Sequence, residues 1–149
     1  MAFLKGVKKT VEIPVTIAIP ILNDKDEEEI LEIHPVITYT RFKRTEARKI
    51  QAEVAQLGRE AAEAMESGDL TVLFNDRLVM FDDLIRKHVK GWRKMPGSED
   101  DQVPFSAEAL EEAIEDNYYF AGFMAGLRKA LGWGDGLVEG SEEEERKNS

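Results

Sequence analysis

Thr10-Val11-Glu12-Ile13-Pro14-Val15-Thr16-Ile17-Ala18-Ile19-Pro20-Ile21-Leu22 decides the fold class. Ile13, Val15, Ile17, Ile19 and Ile21 alternate with Pro14, Thr16, Ala18 and Pro20, the period of two of a strand with one buried face, and β-branched residues dominate the run. Proline has no N–H to give to a ladder, so Pro14 and Pro20 put this strand at a sheet edge or interrupt it. Asn23-Asp24-Lys25-Asp26 has turn chemistry, and Glu29 to Phe42 is a second strand-like run with Pro35 inside it. A β-hairpin or small sheet is therefore expected over residues 10–42.

Beyond Phe42 the apolar spacing changes from two to three and four. Thr45 is the expected N-cap of a helix from Glu46 to Met65, with Ile50, Val54, Leu57 and Ala61 on one face and Ser67-Gly68-Asp69 at its end. A second helix is predicted from about Thr71 to Val89, with Leu70, Leu73, Phe74, Leu78, Phe81, Leu84, Ile85 and His88 or Val89 forming the clearest amphipathic stripe in the chain. Gly91 to Val103 reads as a polar loop. Ser106 then caps a third helix, which carries Glu108, Glu111 and Glu112 near its positive end and buries Leu110, Ala113 and Ile114. Asn117 marks a break before a fourth helix, Tyr118 to Leu131, and Gly132, Gly134 and Gly136 close the ordered part. Strands first and helices after predict one segregated α+β domain over residues 1–136, a hairpin or small sheet followed by a body of about four helices.

The chain length of 149 residues fits one domain. Its net charge of −10 is distributed unevenly: residues 1–50 carry nine basic and eight acidic side chains, residues 51–94 seven and eight, and residues 95–149 four and fourteen. Residues 137–149, with Glu142-Glu143-Glu144-Glu145, read as a solvated, disordered acidic tail. Nucleic-acid binding and adsorption to anionic membranes both call for a basic face, so neither is expected. The N-terminus lacks the apolar stretch of a signal peptide, and no run approaches the length of a membrane span, which predicts a soluble intracellular protein.

The sequence offers no catalytic set. The absence of cysteine excludes thiolate metal sites and thiol nucleophiles. His34 and His88 are far apart in sequence and read as structural, the charge of His88 suiting a helix C-terminus. Asp82-Asp83 and Glu111-Glu112 are adjacent pairs that diverge on a helix. Gly122 and Gly126 read as sites of close helix packing. The basic groups Arg41, Lys43, Arg44, Arg48, Lys49 and Arg86, Lys87, Lys90, Arg93, Lys94 are expected to pair with the acidic C-terminal third. No enzyme activity, metal or cofactor is expected.

What remains is aromatic. Trp92 and Phe105 bracket the polar loop, and Tyr118, Tyr119, Phe120 and Phe123 follow within six residues, more than one buried helix face can hide, so at least one points away from the core. His88-Val89-Lys90-Gly91-Trp92, the loop, then Val103-Pro104-Phe105-Ser106 and a helix with Leu110 resembles the tail assembly chaperones of long-tailed bacteriophages, over about residues 70–131. The resemblance implies a non-enzymatic protein of the bacterial host cytoplasm. It would bind the tape measure protein, keep it soluble and help recruit tail tube subunits, as a homo-oligomer. Many members are also made in a longer, frameshifted form; the short acidic tail fits the in-frame one. Phe81, Trp92, Phe105, Tyr119, Phe120 and Phe123 are the expected partner-binding residues. The competing reading is an acidic regulatory adaptor, or a nucleic-acid mimic, bound to a basic partner.

Overall fold

A computed structural model of the chain describes residues 8–68, 79–98 and 101–132. Four strands come first: β1 (Thr10–Pro14), β2 (Ile17–Leu22), β3 (Glu28–Ile33) and β4 (Val36–Thr40). Thr10 faces Thr40, Pro14 faces Val36, Ile17 faces Ile33 and Leu22 faces Glu28, so one register runs the whole length of both arms. The expected hairpin is present, but each arm is divided. Its physical cause is Pro35: Val15 N–H donates to the Pro35 carbonyl at 3.0 Å, while the reciprocal bond is impossible because Pro35 has no N–H. The ladder therefore splits into a β1-β4 part and a two-stranded β2-β3 ribbon.

The turn lies where its chemistry placed it. Asn23 Oδ1 accepts from the N–H groups of Lys25 (2.8 Å) and Glu27 (3.0 Å), and Asp26 takes φ +58, a left-handed conformation that Asp tolerates better than most residues.

Four helices follow: α1 (Arg44–Ser67), α2 (Val79–His88), α3 (Ala107–Ile114) and α4 (Asn117–Ala130), with a fifth strand, β5 (Val89–Arg93), between α2 and α3. β5 corrects the expected order of strands first and helices after. Val89 begins a strand instead of ending a helix, and Gly91 to Arg93 belong to the sheet, giving the order β1-β4-β5. The predicted first turns of α2, from Thr71, and the acidic tail of residues 137–149 lie outside the described residues.

Helix ends differ in detail from expectation. α1 begins two residues earlier, with Lys43 at the N-cap and no side-chain cap, so Thr45 lies inside the helix; Gly68, at φ +77, ends it as predicted. Ser106 caps α3 by accepting from Ala109 N–H at 3.0 Å. The break before α4 is capped by Asp116, whose Oδ1 accepts from the N–H groups of Tyr118 and Tyr119 (2.8 and 3.2 Å); Asn117 is the first helical residue.

The core forms where α4 crosses the inner face of the hairpin. Val15, Ile17, Ile33, Ile37 and Tyr39 face Phe123, Met124, Leu127 and Leu131, and each fully buried side chain of this size contributes about 1.5–3 kcal/mol. α4 comes this close because of its glycines: a Cβ on Gly122 would lie 2.6 Å from Ile17 Cγ1, and one on Gly126 would lie 2.7 Å from Tyr39 Cζ and 2.8 Å from Val15 Cγ1. The Tyr39 hydroxyl donates to the Phe123 carbonyl at 2.8 Å, and burial pushes its ionisation well above the ordinary value. No helix among the described residues is long and apolar enough to cross a membrane.

Candidate functional site

β5 carries Trp92 onto the inner face of the sheet, opposite Ile37. There the indole stacks on Phe123 of α4 (centroids 6.0 Å, planes 6° apart) and meets Phe105 edge to face (4.9 Å, 89°). Such aromatic pairs are worth about 0.5–1.5 kcal/mol beyond their buried area. Trp92 Nε1–H donates to the Val103 carbonyl at 2.8 Å, which fastens the far end of the loop to the sheet.

The loop is held as a small hairpin of its own. Val103 N–H donates to the Met95 carbonyl (2.9 Å), Gly97 N–H to the Asp101 carbonyl (2.6 Å), and Pro96 bridges to Gln102. Between this loop and the α3–α4 corner lies an open groove of about 280 Å³. Trp92, Met95, Pro96 and Val103 form one wall; Ala109, Ala113 and Tyr119 form the other, with the carboxylates of Glu112 and Asp116 among them. Burial, with Asp116 nearby, raises the ionisation of the Tyr119 phenol, which stays neutral at ordinary pH.

Of the six aromatics expected to bind a partner, Trp92 and Tyr119 line this groove. Phe105 supports it by its edge contact with Trp92, and Phe123 is fully enclosed beneath the indole. Phe81 and Phe120 are half-buried against the core and do not line it. Tyr118 is the member of the Tyr118–Phe123 cluster that points outward, 49% exposed. The sequence does not mark Met95, Ala109 or Asp116, and it marks Val103, Glu112 and Ala113 for other reasons: a place in the resemblance, a charge near a helix's positive end and a buried helix position. Nothing in the local pattern joins the six into one surface, since the groove exists only once β5 brings the loop against α3.

The charged pairs sort as the sequence suggested in one case. Arg86 of α2 grips Glu111 of α3 through two bonds (2.6 and 3.1 Å) and Asp83 through one (2.9 Å), which raises its already high ionisation and joins a basic residue to the acidic third. Arg93 instead reaches Glu12 of β1, 3.2 Å away across the outer face of the sheet.

His88 does not supply a helix-end charge. It is buried, its Nδ1 lies 3.1 Å from Thr40 Oγ1, and its ring tilts against Phe42 at 4.7 Å. Burial first, then Lys87 and Lys90 against the opposing pull of Glu46, lower its ionisation below the ordinary 6.5. His34 is exposed, with Nδ1 3.1 Å from Thr16 Oγ1. Among the described residues no group of three or more His, Asp or Glu is arranged to hold a metal ion.

Comparison with protein-family models, curated proteins and solved structures gives no match for this chain.

Proposed function

We propose that the protein is a non-enzymatic assembly chaperone of the kind found in long-tailed phages. It binds the tape measure protein, keeps it soluble and helps bring tail tube subunits to it, acting as a homo-oligomer in the cytoplasm of the bacterial host. One observation carries the reading. Residues behind the resemblance are drawn together in space: Trp92 of β5 and Val103, at the far end of the loop, form one wall of a groove with Met95 and Pro96, and Phe105, just ahead of α3, supports it.

The chemistry of the groove supports it. The groove, about 280 Å³ and lined mostly by apolar and aromatic side chains, accepts one or two aliphatic or aromatic side chains from a client helix. Glu112 at the edge favours a basic residue one turn away on that helix. A net charge of −10 keeps a complex with an apolar client dispersed.

The test is co-expression with the tape measure protein of the same phage. A larger soluble fraction of that protein, co-purifying with this chain, is the expected result. An unchanged insoluble fraction with no co-purification would refute the reading.

A further inference from the structure

The outer edge of β3 pairs with no strand among the described residues. Which backbone groups it presents follows from the register. In an antiparallel ladder, residues that bond across the pair alternate with residues whose N–H and C=O face away. Backbone bonds from Arg41 to Lys9 (2.9 Å), Val15 to Pro35 (3.0 Å) and Asn23 to Glu27 (3.0 Å) all follow the hairpin's register. Odd-numbered residues therefore bond across the hairpin, and even-numbered ones face outward.

The two long edges then differ. On the β1–β2 side the outward positions include Pro14 and Pro20, which have no N–H to offer an incoming strand. On the β3 side Glu28, Ile30 and Glu32 each present both a donor and an acceptor. β5 covers this side of the hairpin only along β4. It stops at Arg93, opposite Val36, and Lys94 at φ +58 then turns the chain off the sheet. One edge is blocked by proline, and among the described residues the other is open where β5 leaves off.

Side chains indicate what fits the open edge. Ile30 and Leu22 are 63% and 64% exposed on the solvent face, and Glu28 and Glu32 flank Ile30 on the same face. Self-pairing of two β3 strands centred on Ile30 would set Glu28 of each copy against Glu32 of the other, and like charges directly opposite are unfavourable. A strand with basic residues at those two places meets opposite charge instead.

We propose that β3 takes up an extended segment of another protein as an added strand, with basic residues opposite Glu28 and Glu32 and an apolar residue opposite Ile30. This surface is separate from the Trp92 groove and does not depend on the chaperone reading.

The probe is a labelled synthetic peptide with a Lys-Val-Ile-Val-Lys core, titrated against the full chain by fluorescence anisotropy. Its controls are the same peptide with proline at the central position, which keeps the charge, and a Glu-Val-Ile-Val-Glu peptide. The parent peptide is expected to bind and both controls to fail. Ile30→Pro removes one outward N–H without touching the internal ladder, as Pro20 does opposite it, and should weaken binding by about tenfold, the worth of one hydrogen bond. Glu28→Lys with Glu32→Lys leaves the backbone edge intact and should reverse the preference toward the acidic peptide. Absence of binding by the parent peptide, equal binding by the proline control, or unchanged preference in the double Lys variant would overturn the proposal. A dimer of the protein that dissolves on Ile30→Pro would also overturn it, because the occupant would then be a second copy.

Discussion

At the scale of single residues, Gly126 and Gly58 set opposite expectations for the same substitution. A Cβ at Gly126 meets Val15 and the ring of Tyr39, which is held in place by its bond to the Phe123 carbonyl. Gly126→Ala should therefore cost about 1–3 kcal/mol by overpacking, outweighing a helix-propensity gain of about 1 kcal/mol. Gly58 in α1 has open space around it, so Gly58→Ala should stabilise by about 0.5–1 kcal/mol. Chemical denaturation midpoints of the two variants should move in opposite directions. His88 provides a second residue-level test. Its ionisation is lowered in the fold by burial and by Lys87 and Lys90, against the opposing pull of Glu46, so below the ordinary 6.5 the unfolded chain takes up a proton that the folded one resists. Stability is complete above that pH and falls as pH drops through it toward the lower folded value. Replacing His88 with Gln should flatten this part of the stability–pH profile, measured by urea unfolding; an unchanged slope would mean that His88 is not the group responsible.

At the scale of elements, Asp116 holds the α3–α4 corner that forms one wall of the groove. Loss of its two bonds to Tyr118 and Tyr119 N–H in Asp116→Ala should cost about 1 kcal/mol, and Asp116→Asn, which keeps the acceptor, should restore most of it. Thermal unfolding of the pair distinguishes the lost cap from the lost charge. Elements were legible in the sequence where the pattern is local. The two-residue period of Ile13 to Ile21, the Asn23 turn, the Ser106 cap and the Gly68 stop all depend on neighbours in the chain. β5 was not legible, because Val89-Lys90-Gly91-Trp92-Arg93 follows an amphipathic helix without a break and contains a Gly, and it becomes a strand only by pairing with β4. An interruption was expected from Pro14 and Pro20, yet the hairpin divides at Pro35, because which proline costs a cross-strand bond depends on the register.

At the scale of the whole molecule, two layers place the aromatic residues in different roles. The sheet and α4 enclose Phe123 and Tyr39, while the loop and the α3–α4 corner leave one side of Trp92 and Tyr119 lining an open groove. Of the aromatics that the sequence named, Trp92 and Tyr119 come to one groove and Phe105 packs on Trp92. The sequence could not separate floor from support, since that depends on which face of β5 meets α4. On the proposed chaperone reading, this groove holds the client. Val103→Glu tests it most directly: the side chain lines the groove and is 36% exposed, while the bond from Trp92 goes to the Val103 backbone and survives the change. In pull-downs from co-expressing cells, the tape measure protein should be retained by the parent chain and lost by the equally folded Val103→Glu variant. Equal retention by both would contradict the account.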